Sequence, residues 1–144
     1  MEPDRNPAVA SLPERVERVV VLLASRDRVW ESLSRADQLA AWFDAAVDMD
    51  LRIGGGITFR WADGLERAAV IEELDPDRRL GFRWLPFVRL EGEPRPVPPG
   101  RVEFVLEDTD GGTALRVTEW TSWPATALVA RQEWPGPHVA GSFR

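Results

Sequence analysis

From Arg15 to Ala24 the sequence RVERVVVLLA is β-branched and almost continuously apolar, which predicts a first strand buried on much of both faces. Ser25 then stands where a helix N-cap would, with Val29, Trp30 and Leu33 at helical spacing behind it. A second short helix is predicted from about Ala36, because Leu39, Trp42 and Phe43 fall at i, i+3 and i+4. Beyond Phe43 the period changes to two. Ala46 to Leu51 reads as a weak strand, Gly54-Gly55-Gly56 as a break, and Ile57, Phe59 and Trp61 alternate with Thr58, Arg60 and Ala62. Asp63-Gly64 predicts a type I′ hairpin turn joining 57–62 to 66–74, and Asp75-Pro76-Asp77 a further turn. Leu80, Phe82 and Trp84 alternate with Gly81, Arg83 and Leu85. The stretch 85–100 then carries five of the chain's 12 prolines and is expected to stay off any sheet ladder, as a surface loop or extended arm. Val102, Phe104 and Leu106, then Leu115 and Val117 across Asp110-Gly111-Gly112, predict a second antiparallel pair.

The order is strand, two short helices and about six antiparallel strands, an α+β meander. With 144 residues, 44% of them apolar and 29% charged, the chain suits one domain with one core. Pro3, Pro7 and Pro13 mark 1–14 as a flexible arm, the domain is placed at 15–134, and 135–144 reads as a flexible tail. No signal-peptide core or membrane span is seen, so the expected location is cytoplasmic.

Charge and missing residue types narrow the chemistry. A formal charge of -6 disfavours nucleic acid and anionic membrane as partners. The chain has no cysteine, lysine or tyrosine and a single histidine, His138. Disulfides, thiolate nucleophiles, Schiff bases, phenolic acids and two-imidazole metal sites are thereby ruled out, and no cofactor or metal is expected.

Val29-Trp30 with Leu33, Leu39 with Trp42-Phe43, Arg52 with Gly54-Gly55, Asp63-Gly64, Glu73-Leu74-Asp75-Pro76, Arg79-Leu80 with Trp84, and Gly112-Thr113 with Leu115 and Val117 recur in an order and spacing that resemble the START-like or SRPBCC superfamily. Within it the chain is most similar to the activator of heat-shock-protein-ninety ATPase homologue branch, over roughly Arg15 to Trp120. The resemblance implies a helix-grip fold: a curved antiparallel sheet around a C-terminal helix, with an apolar cavity between them. Beyond Trp120 this chain keeps 24 residues, with Pro124, Pro135 and Pro137, which limits any such helix to about 125–134.

On that fold Trp42, Phe43, Phe59, Trp61, Phe82, Trp84 and Trp120 would line a ligand pocket, although alternation alone also predicts plain core. Arg60 and Arg83 could pair a cation with that groove and a carboxylate-bearing ligand, or could face water. Glu72 and Glu73 are adjacent in a strand and should point to opposite faces. If one acidic residue points inward, Glu66, Glu73 or Glu119 is the candidate, and the residues alone leave the choice open. The first functional expectation is non-covalent binding of a small hydrophobic or aromatic ligand. A cyclase or aromatase-like enzyme and a chaperone-type or self-association module in the stress response are the alternatives, with a homodimer as one partner.

Overall fold

A computed structural model describes residues 14–121, which hold eight strands and two helices. In chain order these are β1 (Glu14–Leu22), α1 (Arg26–Ser34), α2 (Ala36–Phe43), β2 (Ala46–Met49), β3 (Gly56–Arg60), β4 (Leu65–Asp75), β5 (Arg79–Leu90), β6 (Glu93–Pro96), β7 (Gly100–Thr109) and β8 (Gly112–Thr121). The strands form one antiparallel sheet in the order β1-β8-β7-β5-β4-β3-β2, with β6 paired to β5. The fold is α+β. Residues 1–13 of the expected arm 1–14, the helix at 125–134, the tail and His138 lie outside the described residues, while Glu14 opens β1.

One face of this sheet, called inner below, carries the core. Its side chains alternate along every strand: Ile57 and Phe59 on β3, Ala69 and Ile71 on β4, Leu80, Phe82 and Trp84 on β5, Val102, Phe104 and Leu106 on β7, Leu115 and Val117 on β8, all buried. The paired registers keep them in step, since Phe82 faces Ile71 on one side and Val102 on the other. Helix α1 packs on β7 and β8 through Val29 and Leu33, and α2 packs on β2. Leu39, Trp42 and Phe43 of α2 are buried in the same core. Asp44, in the left-handed region at φ 55°, ends α2 and returns its N–H to the Ala40 carbonyl.

Four expectations from sequence are corrected. β1 is an edge strand with one face against the core, partly buried at Val16 and Val20 and fully at Leu22, and the other open: Val19, Val21 and the following Leu23 are 54%, 57% and 65% exposed. Its unbroken run of apolar residues concealed an ordinary alternation. The 85–100 segment is not a loop, because β5 continues to Leu90 and turns through Glu91 and Gly92, both at positive φ, into β6. Pro94 and Pro96 sit opposite Arg89 and Phe87, and the Val97 N–H bonds to the Pro86 carbonyl at 3.0 Å, so the prolines take alternate positions whose missing N–H groups the ladder does not need.

The Asp63-Gly64 hairpin forms, but around a three-residue loop in which only Gly64 has positive φ; the Trp61 N–H bonds to the Leu65 carbonyl at 2.8 Å, closing it. Lastly, Glu72 and Glu73 do not part company. A bulge between Ile71 and Glu73 turns both carboxylates to the outer face, where they accept from the two ends of one guanidinium, Arg101, at 2.8 and 3.0 Å.

The glycine run has a packing reason at one position. A Cβ on Gly55 would lie 2.0 Å from the Asp50 carbonyl oxygen, whereas one on Gly56 would meet nothing nearer than 3.8 Å. Gly55→Ala is therefore expected to destabilise the fold by about 2 kcal/mol or more and Gly56→Ala by less than about 1 kcal/mol, compared by urea unfolding. Equal midpoints for the two variants would contradict this account of the loop.

Candidate functional site

The inner face gathers the aromatic residues into one connected set. Phe59 is central: its ring centroid lies 4.8 Å from Phe43, 5.2 Å from Trp84, 5.8 Å from Trp61 in a stacked pair and 5.9 Å from Phe82. Phe82 meets Trp84 edge-to-face at 5.2 Å, and Phe104 lies 6.3 Å from both Phe43 and Phe82. The Trp61 indole N–H donates to the Phe43 carbonyl at 3.0 Å, tying the end of β3 to the end of α2. Rings at these separations attract beyond the area they bury, and the polar edge of Trp61 is satisfied where it leaves the core.

Two charges stand in this apolar face. Arg67 on β4 is 3% exposed and Glu119 on β8 is 1% exposed, and among the described residues no other charged side chain is buried. Trp84 joins them. The Arg67 guanidinium carbon lies 4.1 Å above its ring centroid, and its Nε1–H points to Glu119 Oε2 at 3.4 Å. The indole has space for this because its cross-strand neighbours are small, Ala69 on β4 and Gly100 on β7. Burial lowers the Arg67 pKa from the ordinary guanidinium value to about 10, against the attraction of Glu119, which raises it; the group remains a cation at neutral pH.

The expected pocket residues divide by face. Trp42, Phe43, Phe59, Trp61, Phe82 and Trp84 come together on the inner face. Arg60, Arg83 and Trp120 fall on the outer one. Arg60 donates to Asp48 at 2.9 Å and lies 3.6 Å from Glu66, Arg83 donates to Glu72 at 2.7 Å, and Trp120 sits beside Arg101, whose guanidinium is 6.0 Å from its ring centroid. They join a lattice of surface ion pairs that also contains Arg79 with Glu103. Such exposed pairs contribute about 0–1 kcal/mol each and keep the outer face soluble more than they hold the fold.

Of the three carboxylates nominated from sequence, Glu119 turns inward, while Glu66 and Glu73 face Arg60 and Arg101. Arg67 was not among the candidates. Its signal was present in LERAAVIEEL, where it shares the phase of Ala69 and Ile71 and so belongs on their face.

The arrangement sets an aromatic cluster beside a cation, which can only donate hydrogen bonds, and a carboxylate, which accepts them. Among the described residues no three His, Asp or Glu side chains converge as metal ligands would, and no helix is long and apolar enough to cross a membrane.

Comparison with known proteins gives a consistent picture. The model of the Activator of Hsp90 ATPase homolog 1-like protein family matches residues 23–136. No curated protein matches the sequence. Among solved structures, CalU16 from Micromonospora echinospora is similar at 26% identity and TM-score 0.60, over 93% of this chain and 75% of that one. A Chromobacterium violaceum protein is similar at 16% identity and TM-score 0.68, over 90% of this chain and 96% of its own. The Aha1 dimer from Colwellia psychrerythraea is similar at 18% identity and TM-score 0.60, over 90% and 87%.

Two variants test the energetics of the site by urea unfolding. Phe59→Ala should cost about 3–5 kcal/mol, as loss of a fully buried ring does. Glu119→Gln, which strips Arg67 of its attracting charge, should cost about 3 kcal/mol, and Arg67→Met combined with Glu119→Gln should recover most of it. Additive losses in the double variant would show that the two charges do not act as a pair.

Proposed function

We propose a ligand-binding role for this chain, which belongs to the Activator of Hsp90 ATPase homolog 1-like family. The ligand is a small hydrophobic or aromatic molecule held against the inner face of the sheet, without covalent chemistry. The observation that carries this reading is the single aromatic set running from Phe43 through Phe59 and Phe82 to Trp84, with two buried charges at its end. A core needs apolar bulk. It does not need an arginine and a glutamate, whose desolvation works against folding. Six of the residues expected to line a pocket come together there, Phe59, Trp61, Phe82 and Trp84 from the strand segments and Trp42 and Phe43 from α2, and aromatic walls with a few placed polar groups are the usual make-up of small-molecule sites. Arg60, Arg83 and Trp120 are not part of this proposal, because they lie on the other face.

A second reading has its own observation. Val19, Val21 and Leu23 form an exposed apolar row along β1, an edge strand whose outer backbone groups have no neighbouring strand among the described residues. Such an edge is a template for strand addition, and a second copy of the chain is the partner that would always be at hand. The dimeric state of the similar Colwellia psychrerythraea protein supports this direction. Dimerisation through β1 leaves the inner face available and is compatible with ligand binding.

Both readings have direct tests. Titrating a panel of apolar aromatics should quench or shift tryptophan emission, and Trp84→Ala should abolish the response; silence across the panel in the wild type would reject the ligand reading. Native mass spectrometry should find a dimer that Val21→Arg converts to monomer. A monomeric wild type would reject the edge contact.

A further inference from the structure

The ladders inside the sheet fix which way the backbone of β1 points. The Leu106 N–H donates to the Arg78 carbonyl at 2.8 Å, so even-numbered residues of β7 turn their N–H and C=O groups toward β5 and odd-numbered ones toward β8. The next two ladders pair Val105 with Arg116 and Leu115 with Val20 without a register shift. Even-numbered residues of β1 therefore bond to β8. A Cβ on Gly112 would lie 2.0 Å from the Leu22 carbonyl oxygen, which places that carbonyl on the β8 side as well. The odd-numbered Glu17, Val19 and Val21 turn their N–H and C=O groups to the edge, where no strand pairs among the described residues. Odd-numbered side chains also lie on the outer face, where Val19, Val21 and Leu23 are exposed. The same residues thus present the backbone groups and the apolar side chains of an unfinished ladder.

We propose that a second copy of the chain adds to β1 antiparallel, with the two-fold axis at Val21, so that the two sheets run on as one. The inference rests on β1 being a dimer edge and adds the register. Each copy carries a net charge of -6, so two copies repel unless the contact itself avoids charge. Residues 19–25, VVVLLAS, are uncharged, whereas 14–18 hold Glu14, Arg15, Glu17 and Arg18. An isologous contact must also be complementary to itself. Edge-facing residues are odd-numbered, so the axis falls on a residue, and each choice fixes the cross-strand pairs. At Val21 the residue exchanges two hydrogen bonds with its own copy, and Val19 stands opposite Leu23 of the second copy on both sides of the axis. Every outer-face side chain of the run then meets an apolar one. An axis at Val20 would set Glu17 against Leu23, one at Val19 would set Glu17 against Val21 and Arg15 against Leu23, and one at Arg18 would oppose two like charges. An axis at Leu22 would set Val19 against Ser25, the N-cap of α1.

The chain has no cysteine, so single thiols report the register without background. Val19→Cys, Val21→Cys and Leu23→Cys are each treated with a short bis-methanethiosulfonate, which joins two thiols only when their strands stand side by side, about 5 Å apart. Native mass spectrometry of the wild type and of each variant gives the oligomeric state, and denaturing mass spectrometry the covalent products. Val21→Cys alone should be converted to covalent dimer. Val19→Cys alone and Leu23→Cys alone should not, because each thiol and its own copy are displaced by four residues along the strand, about 14 Å. An equimolar mixture of Val19→Cys and Leu23→Cys should give the covalent heterodimer. That mixture leaves the axis residue untouched, so it decides the register if Val21→Cys weakens the dimer. Covalent heterodimer from Val19→Cys mixed with Val21→Cys, or covalent dimer from Val19→Cys alone, would move the axis to Val20 or Val19 and overturn the register while keeping the β1 edge. A dimer in which none of these thiols is joined would overturn the register and the edge contact together, as would a monomeric wild type.

Discussion

Strand register commits each side chain of this sheet to a face, and almost everything else in the molecule follows from that commitment. With a period of two, a slip of one residue would exchange the aromatic inner face for the ionic outer one. The chain guards against it by chemistry on both sides. Inside, rings on β3, β5 and β7 meet across strands. Outside, arginines on β5 bind carboxylates on β4 and β7, Arg83 with Glu72 and Arg79 with Glu103. Either pattern alone would favour the observed pairing, and the two reinforce each other.

Against this division Arg67 and Glu119 are exceptions, since each is a charge on the apolar side. Their position is tolerable because Trp84 gives one a ring face and the other an N–H, and because they attract each other. The space for the indole comes from Ala69 and Gly100 flanking it across the ladder. Small residues beside a large one, and a polar edge aimed at a charge, are local features. Their joint effect is a polar spot in an otherwise apolar face.

Much of the architecture was legible from the sequence because alternation is a direct record of strand faces. The helices around Val29 and Leu33 and around Leu39, Trp42 and Phe43, the hairpin at Asp63-Gly64 and the pair across Gly111 all stand where the pattern put them. The site was legible in part. Phe59, Phe82 and Trp84 could be placed on one face, but Arg60 and Arg83 drew attention as arginines among tryptophans although their phase put them with Thr58 and Gly81, outside. Arg67 drew none, although its phase put it inside. Phase was the better guide than residue type in both cases. The 85–100 hairpin was hidden for a different reason: proline forbids a donor, and only the pairing geometry reveals that β6 needs donors at every second residue alone.

The bulge at Glu72 acts on β4 as a frame shift does on a coding sequence. Before it, odd-numbered residues point inward, Arg67, Ala69 and Ile71; after it, the even-numbered Leu74 takes the inward place opposite Leu80. One strand therefore carries two reading frames, joined at a point where neighbouring carboxylates share a single arginine. A relative lacking that one residue could keep the same fold and the same inward Leu74, yet it would align by pattern only up to Ile71. Insertions and deletions at this position are thus the ones to which the core is indifferent and sequence comparison is most sensitive.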